Sequence, residues 1–399
     1  MKKVRIPSGS WYGDEGMTLT FPEDWDVQIV SFPDRPALTD DEMLTAFGSP
    51  IGTPKISELA AKSKNAVIIV EDLSRPAPVP TILPYILDEL KAGGIDRSSV
   101  LIVMAIGCHR QLIRPDLIRK LGEDVVKTVD VISSEPDDHL TPLGRTSRGT
   151  PMFVNQYVME CDLKIGLGGI YPHAQFAFGG GAKIILPGVT GLETTKHNHK
   201  ELETGGHVGS LENEQRLDAE EVARKVGLDV VVNAVINSRR EAVRLFVGDV
   251  VEAQRKGAEF ARQAYATPIR EGADIVIANA YPLDVSLQHA GKGSWPLKSV
   301  KDGGIKIITS AATEGYGYHR LFLKHRSQPT ERTFDNSDVV LFSPNLIADE
   351  AYRVFPKSTI FFNKWYELMD EIMPRCSAKD TKVAIYPCAT IQIPQTDEP

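Results

Sequence analysis

Side chains able to grip a small anion and move its protons fall just after three successive apolar runs. Ser74-Arg75-Pro76-Ala77-Pro78 follows AVIIVEDL (66–73), Cys108-His109-Arg110 follows VLIVMAIG (100–107), and Tyr171-Pro172-His173 follows DLKIGLGGI (162–170). An arginine in a proline-held loop is either a pre-set clamp that meets a carboxylate with two parallel hydrogen bonds or a surface arginine in a rigid turn. His109 can exchange a proton near neutral pH or sit as a satisfied structural histidine. Thiol catalysis by Cys108 with His109 is disfavoured, because neighbours on an extended segment point to opposite sides.

The densest segment is YPHAQFAFGGGAKIILPGVTGLETTKHNHKELE (171–203). Its glycines, 179–181, allow close backbone approach to a bound group, and successive N–H groups with Lys183 could cradle a phosphate. The cluster matches neither the triphosphate-binding G-x-x-x-x-G-K-[ST] loop nor a strand-borne G-x-G-x-x-G, so neither nucleotide site is indicated. GLETTKHNHKELE reads as helical, and on a helix His197 and His199 diverge by about 200°, which leaves room for one metal-binding histidine rather than a two-histidine chelate.

These residues need a frame. Further apolar runs, DVVVNAVI (229–236), ADIVIANA (273–280), GIKIITSA (304–311), DVVLFSPN (338–345) and TIFFNKW (359–365), alternate with amphipathic stretches such as TILPYILDELKAGG (81–94) and DAEEVARKVG (218–227). Unbroken apolar runs of this length suit strands buried on both faces, so the fold class expected is α/β, with two α/β domains of largely parallel sheet. The helical VVEAQRKGAEFARQAY gives way to ATPIREG near 262–272, which places the domains at 1–265 and 266–399. The first sixty residues carry an edge hairpin with no firm assignment. In open α/β sheets chemistry collects beyond the carboxyl ends of the strands, so the active site is expected there, in an interdomain cleft.

Composition narrows the function. With 42% hydrophobic and 25% charged residues and no long apolar stretch, the chain reads as a globular protein without a membrane span. Its net charge of -8 is spread without a basic run, so nucleic acid is an unsuited partner. Four cysteines without a C-x-x-C pair suggest reduced thiols, and MKKVRIPSGSWYGDEGMTLTFP lacks a secretory signal's apolar core. The expected compartment is the cytoplasm; the oligomeric state is not legible.

DLSRPAP, GCHR, PHAQFAFGGGAKIILPGVTGLETTKHNH and ENEQRLDAEEVARKVGLDVVVNAVI, in this order along the chain, resemble the motifs of the nickel-dependent lactate racemase family. The spacing of ten from His173 to Lys183 and sixteen from Lys183 to His199 agrees with its signature. The resemblance implies an isomerase, a racemase or epimerase inverting the α-carbon of a 2-hydroxy acid. It also implies a nickel-pincer nucleotide made by cofactor-assembling proteins and held in the 1–265 domain. By position, Lys183 would carry the cofactor covalently and His199 would ligate nickel. Asp72, Gly180 and Gly181 would help seat the nucleotide. Arg75 would bind the substrate carboxylate, and His109 and His173 would be the acid/base pair.

The second domain departs from the family pattern. Gln288 is retained, Leu287 replaces a tyrosine, Gly291 replaces a substrate-facing lysine, and Lys292 lies one position along, where a loop shift would let it serve. Losing two bulky groups implies a substrate larger than lactate, such as a sugar acid. Trp295 and Trp365 are aromatic candidates for its contacts or for core packing. Two other readings compete: a zinc-dependent hydrolase or lyase built on His109, His173 and His199, and a non-catalytic protein that keeps the cofactor fold.

Overall fold

A computed structural model describes residues 1–204, 206, 208–321, 339–376 and 379–395. They form two compact units, one of Arg35–Arg262 and one that joins Met1–Asp34 to Gln263–Pro399. The fold is α/β, as the sequence predicts, and each unit is built on a six-stranded sheet.

In the Arg35–Arg262 unit the strand order is Ala242–Gly248, Val230–Ile236, Leu163–Gly169, Ala66–Glu71, Val100–Ala105 and Asp130–Ser133. All neighbours run parallel except the first pair. Every residue of Ala66–Glu71 and Leu163–Gly169 is buried, which explains their uninterrupted apolar sequences: helices cover both faces, so no polar alternation is needed. Val79–Ala92 buries Ile82, Leu83, Ile86, Leu87 and Leu90 on one stripe. Glu214–Val226 starts where the Asn213 side chain accepts from the Arg216 N–H and ends at Gly227 in the left-handed region. Because the first four strands in sequence are parallel, the loops that follow Glu71, Ala105 and Gly169 all open at one sheet edge.

The other unit has the order Ile360–Phe362, Val339–Phe342, Val300–Thr309, Ala273–Asn279, Lys382–Tyr386 and Asp26–Ile29, all parallel. The strand expected to begin at residue 338 is described from Val339. Asp26–Ile29 pairs with Lys382–Tyr386, Val27 opposite Val383, so the first 34 residues belong here and not with the 35–262 sheet as the 1–265 division has it. A four-residue strand with one half-buried valine gives too little pattern to reveal its partner. Ahead of it, Lys2–Ile6 and Met17–Phe21 form the expected hairpin and bury Ile6, Leu19 and Phe21.

Trp365 corrects a substrate-binding expectation. It opens the Trp365–Ile372 helix and packs in the core against Ile277, Ile307 and Leu368, its ring edge-on to Phe21 and Phe342 at 5.7 and 5.3 Å. Its indole N–H donates to the Thr20 carbonyl at 2.9 Å. Trp295 is likewise structural, edge-on to Tyr386 and donating to the Gln392 carbonyl. Leu287 is fully buried beside Ala278, Ala280 and Ala312 under the sheet, so it does not enlarge a substrate pocket. Among the described residues no helix is long and apolar enough to cross a membrane, and none of the four cysteines is in a disulfide.

Trp365→Ala should therefore cost about 3–5 kcal/mol of stability, as large aromatic truncations in cores do. Denaturant unfolding checks it; unchanged stability with a raised KM would return the indole to the substrate.

Candidate active site

The loop after Glu71 folds on its own aspartate. Arg75 N–H closes a turn on the Asp72 carbonyl at 3.2 Å, and Ser74 donates to Asp72 Oδ1 from its N–H at 3.1 Å and its hydroxyl at 2.5 Å. The other carboxylate oxygen, Oδ2, lies 2.7 Å from His109 Nδ1, which also meets Ser74 Oγ at 3.1 Å. Burial works against charge on Asp72, but His109, Arg75 and the Ser74 hydrogen bond outweigh it and hold the carboxyl well below the usual carboxylate range. Asp72 thus orients the His109 ring, where the sequence reading had it seating a nucleotide. A carboxylate against Nδ1 puts the ring proton there and makes Nε2 the basic nitrogen. Arg75 is half-buried, its guanidinium steadied by the Ser74 carbonyl and hydroxyl at 3.1 and 3.2 Å.

His173 is held the opposite way. It sits on a two-residue hairpin, Pro172–His173 against Ala177–Phe178, and its Nδ1 accepts from the N–H groups of Gln175 and Phe176 at 3.2 and 3.3 Å. With Nδ1 accepting, neutral His173 carries its proton on Nε2. The hairpin is pinned by Arg216, a fully buried residue of the Glu214–Val226 helix that donates to the carbonyls of Phe176 and Phe178. Burial pushes that guanidinium down to about 10, against the pull of Glu220, so it remains charged at neutral pH.

Phe176 is the hub. Its buried ring lies 5.5 Å from the His173 ring and 5.6 Å from the His199 ring, with the Lys183 ammonium nitrogen 4.3 Å from its centroid. Lys183 stands on the Gly181–Ile184 turn, and among the described residues it forms no ion pair. Burial, then the Arg75 and Arg216 charges, drive its pKa well below that of an ordinary lysine, in the direction that favours a nucleophilic amine.

The glycine loop is shaped by protein more than by a ligand. A Cβ on Gly180 would lie 2.7 Å from Asn233 Oδ1, and one on Gly181 would lie 2.7 Å from Gln254 Cγ; both glycines have positive φ. The Gly181 N–H donates to Asn233 Oδ1 at 3.1 Å, so it does not cradle a phosphate as the sequence reading had it. These two glycines let the Lys183 turn sit tight on the Val230–Ile236 strand.

On the Leu192–Glu201 helix, His199 faces Phe176, whereas His197 Nδ1 meets Thr150 Oγ1 at 2.9 Å, whose hydroxyl donates to Asp218. The divergence expected from helical spacing is realised. Among the described residues no group of three or more histidine, cysteine, aspartate or glutamate side chains could hold a metal ion, so the zinc reading of His109, His173 and His199 fails. Gln288 and Lys292 are half-buried on the Leu287–Gly293 turn of the other unit. Sequence reading missed Ser74, Phe176 and Arg216. Only Arg216 carried a signal, an arginine in register with Ala219 and Val222 on the buried face of its helix.

One edge of the largely parallel sheet thus carries two oriented imidazoles, a half-buried arginine and a half-buried lysine, side chains suited to small-molecule chemistry. Residues 12–208 match the lactate racemase N-terminal domain. A lactate racemase from Thermoanaerobacterium thermosaccharolyticum is 33% identical over 287 residues, covering 70% of this chain and 67% of that protein. Another, from Lactiplantibacillus plantarum, is 31% identical over 293 residues, covering 69% and 68%. The chain belongs to the lactate racemase family and is an isomerase. The fold is shared with the lactate racemase apoprotein of T. thermosaccharolyticum, at TM-score 0.76 and 24% identity over 99% of this chain and 100% of that one. It is also shared with a Thermotoga maritima protein, at TM-score 0.61 and 17% identity over 85% and 97%.

A lysine with a depressed pKa penalises folding wherever the unfolded chain binds its proton and the folded one does not. Lys183→Met should therefore raise the thermal midpoint of cofactor-free protein at neutral pH, by about 2–4 °C for each kcal/mol relieved. The gap should shrink as pH rises toward the ordinary lysine pKa. A gap independent of pH would contradict a neutral Lys183.

Proposed function

We propose that this protein interconverts the two configurations at the α-carbon of a 2-hydroxy acid, as a racemase or epimerase working with a covalently held nickel-pincer nucleotide. The observation that carries this reading is the pair of histidines held in opposite tautomers, His109 with a basic Nε2 and His173 with a protonated one.

The residues fit such a group. A lone imidazole, His199, cannot hold a divalent metal by itself and suits nickel that arrives with its other ligands already in place. Lys183, its pKa drawn down by burial, offers the amine that covalent attachment needs, and the Arg75 and Arg216 charges around it favour an anionic nucleotide. When bound, the cofactor supplies a reversible hydride acceptor. Proteins that assemble it would be required partners.

The chain's own residues do the rest. Arg75 anchors the carboxylate through its planar fork. A secondary alcohol releases hydride from carbon only as its hydroxyl proton leaves, and His109 Nε2 takes that proton, with Asp72 stabilising the imidazolium that forms. That imidazolium gives the proton back to the oxygen when hydride returns on the opposite face, while neutral His173 keeps its Nε2 proton and donates a hydrogen bond to the same oxygen. The same two groups serve the reverse direction. The substrate is longer or more polar than lactate; Gly291, where the resemblance expects a lysine, supports this, and Leu287 does not. Gln288 and Lys292 are the further substrate contacts that the family resemblance implies.

Chiral chromatography of cofactor-loaded enzyme with lactate and with four- to six-carbon 2-hydroxy acids tests this reading. Stereochemical conversion should favour the longer acids, and His109→Asn and His173→Asn should each lower kcat by about 10²–10⁴-fold. Loaded protein that inverts none of these acids, or a double variant as fast as the unaltered enzyme, would overturn it.

A further inference from the structure

Behind the arginine loop lies an ion pair that the chemistry above does not use. Lys120 is completely buried, and its ammonium donates to Glu71 Oε1 at 3.3 Å, to the Arg75 carbonyl at 2.8 Å and to the Ala77 carbonyl at 3.4 Å. Glu71 in turn accepts from the Ala77 N–H at 3.0 Å, the Gly169 N–H at 2.9 Å and the Tyr171 hydroxyl at 2.5 Å. Gly169 has no room for a side chain here: a Cβ would lie 2.3 Å from the Tyr171 ring. Five hydrogen bonds thus run from one buried pair to the loop that carries Arg75 and to the strand end that leads into His173.

Lys120 lies on the Arg114–Leu121 helix, which buries two polar residues at i, i+4 spacing, Asp116 and Lys120. Asp116 holds Arg110 at 2.6 Å, the residue after His109. One short helix therefore braces the His109 loop with its first turn and the Arg75 loop with its last. A buried ion pair contributes little to stability compared with apolar residues of equal size, so a merely structural role is a poor reason for placing one here. Arg75 has a flexible side chain on a turn, and a carboxylate clamp works only if its backbone is fixed.

We propose that Lys120, paired with Glu71, is a positioning residue that sets the Arg75 clamp for the substrate carboxylate. This rests on the reading of Arg75 as that clamp. Burial pulls the ammonium of Lys120 down to about 8 while Glu71 and Asp72 support it, so it is charged at neutral pH.

The test uses cofactor-loaded enzyme and oxamate, a small inert 2-oxo acid analogue whose carboxylate alone resembles that of a substrate. Glu71→Gln/Lys120→Met removes both charges together, since removing one would strand the other in the interior. This variant should fold, keep its cofactor by intact mass, and bind oxamate on the order of tenfold more weakly. KM for the hydroxy acid should rise by the same factor and kcat should change less. Glu71→Gln/Lys120→Gln, which leaves neutral hydrogen-bonding groups at both positions, should weaken oxamate by about threefold and serves if the first double variant does not fold. Arg75→Lys is the control, because lysine lacks the planar fork. If Arg75→Lys weakens oxamate while the folded Lys120 variants do not, the positioning role is wrong and the clamp stands. If Arg75→Lys leaves oxamate binding unchanged, the clamp itself is wrong.

Discussion

Cationic side chains drawn out of water at one sheet edge set the terms for everything else in the Arg35–Arg262 unit. The charges of Arg75 and Arg216 act on Lys183, and all three residues are at least half-buried. Like charges in a poorly solvated place oppose one another. Arg216 is supported by the carbonyls of Phe176 and Phe178 and the carboxylate of Glu220. Burial and the two guanidinium charges move the Lys183 pKa well below that of an ordinary lysine, toward the nucleophilic amine. The same residual positive potential favours an anion in front of it.

Phe176 turns this electrostatic arrangement into a geometry. Its backbone fixes the tautomer of His173, its carbonyl anchors Arg216, and its ring separates and supports His173, His199 and Lys183. On the other side of the edge, Asp72 plays the matching part for His109. Two imidazoles thereby present opposite groups at Nε2, one basic and one protonated, by their neighbours alone.

Much of this was legible in the sequence because buried parallel strands write unbroken apolar runs. Eight such runs were read and all eight contain strands, and the rule that chemistry follows strand ends picked out Arg75, His109 and His173. Helical spacing separated His199 from His197 without any coordinates. What stayed illegible depends on tertiary contact. Nothing local distinguishes a tryptophan beside a pocket from Trp365 in a core, or marks that Asp72 serves a histidine 37 residues away. The glycines were read as room for a ligand, whereas Asn233 and Gln254 fill that room, and neither is near them in sequence. The short Asp26–Ile29 strand has a partner more than three hundred residues later, beyond the reach of any pattern.

Under the proposed function, Lys183 is the amine that is modified and His199 the one protein ligand to the metal that the modification carries. Intact mass, peptide mapping and nickel analysis of protein produced with cofactor-assembling proteins measure this directly. A single adduct on Lys183 with stoichiometric nickel is predicted, with the nickel lost and the adduct kept in His199→Ala, and both kept in His197→Ala. Active enzyme whose Lys183 is unmodified, or nickel that follows His197 instead of His199, would contradict it.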